Sequence, residues 1–344
     1  MKFSDNIIQY CYLTSGGYMK FSELDPKTME LDPSKIIKLK TPRENLEKII
    51  LEFQKDLNLK NQNNLEFIKF VIKLLKENKI NMPALPETAN KLMKLSSNPQ
   101  ATFDDYSQII KNDPLLTMKV IKLANSPLYR GLRDVSDISL ALSRIGIEGI
   151  KQIILTDSLN SVVFKNQTYK KHIDKIWKDS LITALLASKT ATLFNLNPSL
   201  IYTIALVHKI GSILIFDIVE EYNKKADFEH FLDDEFALRI GRAFNKRLTV
   251  KILENWFFTK EQIISVKNYD IKPIPVSPLE HKILYLSQIT VGALEVIMMD
   301  YDEETLFPYE FMLKEAMLEI DPLILKNMTM ESYKDYKEII HNLS

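Results

Sequence analysis

The sequence has a single cysteine, Cys11, in 344 residues. One thiol excludes an internal disulfide and any cysteine-rich zinc site. With no histidine beside it, Cys11 reads as an inert residue rather than a nucleophile. Glycine is also scarce, at 8 residues, well under the roughly 7% of average usage. Few glycines among many Leu, Ile, Lys and Glu residues point to helices joined by short turns. Charge of one sign is missing too. Lys+Arg and Asp+Glu balance at 45 each, so the basic excess of a dedicated nucleic-acid binder is absent. Met1–Tyr10 carries polar and acidic residues and no signal-like apolar run. Apolar stretches such as Ile201–Val207 fall far short of the ~20 residues of a membrane span. These features predict a cytoplasmic chain with no membrane partner. The phosphate loop, the dinucleotide-binding glycine fingerprint and the Gly-x-Ser-x-Gly elbow are lacking as well.

What is present is helical patterning. Thr41-Pro42-Arg43-Glu44 combines a capping hydroxyl, a preset φ at the first helical position and a carboxylate that can reach back. Leu46, Ile49, Ile50, Phe53 and Leu57 then share one helical face, and Leu65, Ile68, Val71, Ile72 and Leu75 share another. The pattern predicts a helical hairpin over about 42–79, within an N-terminal extension of residues 1–80. Met1–Lys40, with its Ser15-Gly16-Gly17 turn, reads as a short hairpin or helical pieces. Beyond Met82, a helix should turn Ala89, Leu92, Met93 and Leu95 inward.

Asp113 precedes Pro114 and should cap the helix that Pro114 opens, with Leu115, Met118, Ile121 and Leu123 facing the core. Asn125 tolerates a left-handed C-terminal position, and Ser126 can cap a helix beginning at Pro127. Gly146 should break the pattern between Ser139–Ile145 and Glu148–Phe164. Asp113, Asn125 and Ser126 are therefore read as caps and turns before they are read as ligand contacts. Near the end, Leu279, Ile283, Leu286, Ile289 and Ala293 form an apolar stripe. Pro308, Pro322 and the polar Asp300–Thr305 segment divide the rest into further helices, with residues 291–344 forming a packed helical tail.

The blocks Met82-Pro83-Ala84-Leu85-Pro86, Asp113-Pro114-Leu115-Leu116-Thr117, Lys122-Leu123-Ala124-Asn125-Ser126-Pro127 and Ile138–Gly146 recur in one order. That series resembles the HDOD family, the non-catalytic relatives of HD-superfamily metal-dependent phosphohydrolases. The resemblance runs from about Asn81 to Leu286. It implies an all-α, multi-helical HD-like bundle over residues 81–290, with the helical N-terminal region added. Asp113, Asn125, Ser126 and Trp177 are the motif-defining residues and are expected to be structural.

His208-Lys209-Ile210-Gly211 resembles the His-Asp motif of the catalytic relatives, with Lys209 in place of the carboxylate. An ammonium there repels the cation that an aspartate would hold. By the same resemblance, the early ligand histidine is replaced by Asp179 in the helix Ile176–Leu181. The histidine eleven residues before Trp256 becomes Asn245. A histidine pair becomes Asn268-Tyr269, and the closing aspartate becomes Gln288. His172, His230, His281 and His341 are scattered and form no ligand pair on a helix face. No metal, no other cofactor and no catalytic residue are therefore expected. Asp179 is expected to pair with Lys209, with His208 hydrogen-bonded alongside.

Arg239, Arg242 and Lys246 fall on one side of a helix and offer a surface for an acidic partner or a phosphate-bearing ligand. Asp233, Asp234 and Glu235 balance them nearby. The resemblance implies a bacterial signal-transduction regulator or adaptor whose partners are signalling proteins, with a nucleotide-like ligand as a second class. Two alternatives stay open: a divergent metal-dependent phosphohydrolase using His208 and unrecognised carboxylates, and a nucleic-acid-associated regulator acting through Arg239–Lys251. Neutral net charge counts against the last.

Overall fold

Local chemistry at Asp113 starts a helix as the sequence predicts. Its backbone is extended (φ −120°, ψ 100°), and its carboxylate accepts the Leu116 N–H at 3.1 Å with Pro114 in the first helical turn. The computed structural model describes residues 62–343, less parts of the connections near 78, 81–86, 97–99, 127–132, 164–165, 226–231, 257–259, 270–274 and 301–303. The described elements are α1 (Gln62–Lys76), α2 (Glu87–Ser96), α3 (Phe103–Lys111), α4 (Pro114–Ala124), α5 (Ile138–Val163), α6 (Lys170–Leu193) and α7 (Pro198–Val207). They continue as α8 (Ile210–Asn223), α9 (Asp234–Asn255), α10 (Lys260–Asn268), α11 (Leu279–Asp300), α12 (Phe307–Ala316) and α13 (Pro322–Leu343). No strand occurs among the described residues, and the all-α class holds. The first arm of the expected hairpin, Met1–Lys40, Cys11 and the side chains of Ala89, Leu92 and Met93 lie outside the described residues.

The second arm is α1, and its stripe is buried as patterned, with Ile68, Val71 and Ile72 inside. Phe67 carries it onto the centre: its ring meets Tyr222 of α8 edge-on at 5.1 Å and Phe236 at the start of α9 at 6.1 Å. Helices α6 and α7 pack closely on each other, as do α8 and α9, with α11 and α13 packed on α6. α3 and α4 pack against α5, and α13 also meets α4. Gly146 has φ 79° and breaks α5 where expected, a backbone conformation that side chains disfavour.

Helix α4 buries Leu123 as the sequence suggests, but not Leu115 or Met118, and Ile121 is half-buried. Leu115 and Met118 are 67% and 61% exposed, while Leu116, Val120, Leu123 and Ala124 form the buried face. Lys119 and Lys122 lie on the side of Leu115 and Met118, whereas Leu116, Val120, Leu123 and Ala124 share the opposite side. Lys119 reaches Asp157 of α5 at 2.6 Å.

Asn125 also differs: it ends α4 in the right-handed region (φ −97°). Its amide clamps the returning loop, donating to the Val135 carbonyl at 2.7 Å and accepting the Val135 N–H at 2.8 Å. Arg144 adds bonds to the carbonyls of Ala124 and Arg133. Two sequence blocks are thus joined physically. Ser126 is buried, and its carbonyl accepts the Tyr129 N–H in a turn; Pro127 lies outside the described residues.

By length and composition, Pro198–Asn223 and Leu279–Met299 could each cross a membrane, although no uninterrupted apolar run in the sequence is that long. Their apolar windows are 78% and 72% buried within the fold, the position of core helices.

Candidate functional site

Helix α7 is capped by Asn197, whose side chain accepts the N–H groups of Ser199 and Leu200. It then runs apolar into the turn His208-Lys209, from which α8 departs. His208 is fully buried. Its Nδ1 faces the Ala205 carbonyl one turn back, so that nitrogen carries the proton and Nε2 keeps its lone pair. Burial, and next the nearby Lys209 charge, hold the imidazole down to about 3, so it is neutral at physiological pH. Nε2 is buried with no hydrogen-bond partner, and the Tyr269 ring stands edge-on to His208 at 5.0 Å.

The start of α8 has no cap of its own, since the Lys209 side chain makes no capping bond. The cap comes from α9. Thr249 Oγ1 accepts the Gly211 N–H at 2.9 Å, and Asn245 Oδ1 accepts the Ser212 N–H at 2.9 Å. The Asn245 amide donates to the His208 carbonyl at 2.8 Å and to the Tyr269 hydroxyl at 2.6 Å. Thr249 Oγ1 also contacts Asn245 Oδ1 at 3.2 Å, and Ser212 Oγ donates to the Gly241 carbonyl at 3.1 Å. Orphan groups of a helix end are thereby satisfied by a neighbouring helix. The crossing requires glycine: a Cβ on Gly211 would sit 2.1 Å from the Asn245 carbonyl oxygen and 2.6 Å from the Thr249 nitrogen.

Asp179 and Lys209 face each other electrostatically from α6 and the turn, but no contact ion pair joins them. Burial raises the Asp179 carboxyl above its ordinary range; Lys209 and then Lys175 oppose that, Glu295 adds to it, and Lys178 opposes it weakly. Burial likewise lowers Lys209, with Asp179 opposing and Arg242 and Lys175 adding to the fall. The expected salt bridge with His208 alongside is thus replaced. His208 bonds back to α7, and desolvation outweighs attraction on both charged groups. Lys175 and Lys178 instead share Glu295 of α11, each at 3.2 Å.

Sequence comparison fits this geometry. Residues 82–270 match the model of the HDOD domain. The chain belongs to the HDOD family. A curated protein of Treponema pallidum (strain Nichols), described as uncharacterized, is 21% identical over 238 residues, covering 67% of this chain and 44% of its own length. The chain thus spans less than half of that relative. A Shewanella amazonensis SB2B structure whose name places it among metal-dependent phosphohydrolases superposes with a TM-score of 0.63 at 20% identity, covering 83% of this chain and all of the other. A Marinobacter aquaeolei VT8 structure named as a signal-transduction protein gives 0.52 at 18% identity, covering 83% and 66%. At these identities the likeness is one of fold.

Within the HDOD frame, the fold brings Asp179, His208, Lys209 and Asn245 into one neighbourhood, joined by Tyr269. Asn268 is the last residue of α10, with its side chain outside the described residues. Gln288 is buried on α11, and Trp177 is buried on α6. On α9, Arg239 lies 3.9 Å from Glu235, Arg242 is exposed and acts on Lys209 through space, and Lys246 is half-buried. Asp113, Asn125 and Ser126 belong to α4 and its exit. Of the other histidines, His172 lies 6.2 Å from the Phe216 ring, His281 is buried on α11, His341 is on α13, and His230 lies outside the described residues.

The residues present do not fit a divalent cation. Among the described residues no three His, Cys, Asp or Glu side chains group closely enough to hold one. The free lone pair of His208 stands beside an ammonium rather than a carboxylate. Sequence reasoning located Asn245 but missed Thr249 and Ser212. The available signal was Thr249 one helical turn after Asn245, on the same face.

Proposed function

We propose that this HDOD protein is a non-catalytic signal-transduction regulator that acts by binding a protein partner. The observation that carries the reading is the Asn245 bond to the His208 carbonyl and the Ser212 N–H. A position that would ligate metal in a phosphohydrolase is spent on joining two helices, and a side chain so committed is not available to an ion. The name of the Marinobacter relative supports a signalling role by analogy alone. On this reading residues 81–290 form the binding domain, the 1–80 extension and the 291–344 tail are where partner specificity resides, and the protein works in the cytoplasm. A nucleotide-like ligand would meet Arg242 and Lys246, whereas nucleic acid is disfavoured by the zero net charge.

One observation favours the hydrolase reading. His208 donates Nδ1–H to a backbone carbonyl and leaves Nε2 bare, the orientation of many metal-ligating histidines. That arrangement lacks its carboxylate neighbour. The test is hydrolysis of bis(p-nitrophenyl) phosphate with added manganese. The regulator reading expects turnover no higher than that of His208→Ala. Turnover that disappears in His208→Ala would make the protein an enzyme.

A further inference from the structure

Serine and threonine hydroxyls buried in the helices of this protein usually bond back to the carbonyl four residues earlier. Thr156, Thr183, Thr190, Ser287, Thr290 and Ser332 all do so, at 2.6–2.9 Å. Ser107 on α3 does not. It is 3% exposed, and its hydroxyl has no hydrogen-bond partner. A buried hydroxyl left unsatisfied costs about 1–3 kcal/mol, so its setting invites an explanation.

Ser107 lines a cavity of about 160 Å³ between α3 and the start of α5, together with Phe103, Asp104, Ser139, Leu142 and Ser143. Ser139 and Ser143 are one turn apart on α5, and neither bonds back along the helix. Asp104 makes no ion pair or hydrogen bond. Its neighbours are occupied: Asp105 closes a capping box with Thr102, and Asp137 caps α5 by accepting the Leu140 N–H at 3.0 Å. Every polar group lining the cavity is therefore uncommitted, and the walls are an aromatic ring and a leucine.

Two helix N-termini would ordinarily draw an anion. Here Thr102 and Asp137 already take capping N–H groups, and the free carboxylate of Asp104 repels one. The chemistry left over is three acceptor-capable hydroxyls, one carboxylate and an apolar wall. That set is complementary to a side chain with an apolar stem and an end made only of donors. The ring of Phe103, 46% exposed, can lie along the stem or beneath the cation.

We infer that the α3–α5 cavity is a docking pocket for an arginine or lysine side chain of a partner polypeptide. The inference rests on the partner-binding reading above and locates the contact away from the His208 turn. Asp104 pairs with the cation, Ser107 accepts an N–H at the base, and Ser139 and Ser143 accept at the mouth.

The test uses the full chain and a fluorescein-labelled octapeptide with one central arginine flanked by leucines, read by fluorescence polarisation. The same peptide with citrulline, a neutral isostere, isolates the charge. Citrulline should bind about five-fold more weakly, the upper range for a partly exposed ion pair, and Asp104→Asn should erase that difference. Ser143→Trp, at an exposed helix position, should fill the pocket and abolish binding with an unchanged melting temperature. Equal binding of the two peptides, tighter binding of a glutamate version, indifference to both variants, or no binding of the arginine peptide would each overturn the pocket. None of these results concerns metal-dependent turnover, which is what decides the regulator reading, so the two can fail separately.

Discussion

Asn245 on α9 donates its amide to the His208 carbonyl at 2.8 Å while its oxygen accepts the Ser212 N–H at 2.9 Å. One side chain thus closes the end of α7 and caps the start of α8. The relationship gives the turn His208-Lys209 a structural purpose that needs no metal.

Asn245→Ala should be strongly destabilising. It leaves the buried His208 carbonyl without its donor and the Ser212 N–H with only its 3.0 Å bond to the Lys209 carbonyl, a loss of about 1–3 kcal/mol. Urea unfolding measures this. A loss near zero would mean that water replaces the amide and that the bond does little to hold the helices together.

The two glycines of the crossing should differ. Gly211→Ala drives a methyl into the Asn245 backbone, which cannot yield, and should cost more than about 3 kcal/mol or prevent folding. Gly241→Ala meets Ile215 Cγ2 at 3.1 Å and otherwise only ordinary contacts at 3.6 Å and beyond, and should cost about 1 kcal/mol or less, the ordinary range for a small strain in a helix that also gains propensity. Equal melting temperatures for the two variants would contradict the close α8–α9 approach.

Stability should depend on pH through His208. Its folded pKa is depressed to about 3 from an ordinary 6.5, so below 6.5 the unfolded chain binds a proton that the folded chain refuses. Its contribution is complete above pH 6.5 and is lost as pH falls from 6.5 towards 3. Chemical denaturation at several pH values should show a shallower acid-side slope in His208→Leu than in the wild type. Parallel slopes would mean that the folded imidazole takes up its proton near its ordinary pKa.

A double-mutant cycle on Asp179→Asn and Lys209→Met should give a coupling below about 1 kcal/mol, as for groups that are not in contact. Burial dominates both of their shifts, so Asp179→Asn alone should change stability little. A coupling of several kcal/mol would restore the buried salt bridge.

Where the sequence was legible, the signal was local. Asp113 before Pro114 marks a cap, Gly146 marks a break, and the stripe from Ile68 to Ile72 marks a buried face; each depends on residues within a turn or two. Helix α4 was misread at Leu115 and Met118 because the weight of their apolar side chains hid the polar side marked by Lys119 and Lys122 one turn apart. The Asp179–Lys209 pairing failed for a different reason. Complementary charge types predict attraction, but not whether two groups held on different elements meet, nor what burial costs them. The candidate site was half visible. His208 and Asn245 could be placed, yet the bonds that define their roles span helices more than thirty residues apart in sequence, beyond the reach of spacing.

The His208 turn is held by hydrogen bonds to α9, an arrangement with no place for a metal. Its most direct test is the metal content of the full chain, purified without chelator and measured by plasma mass spectrometry beside His208→Ala. Manganese, iron and zinc should be substoichiometric and unchanged by the substitution. One transition metal per chain, lost when His208 is replaced, would contradict it.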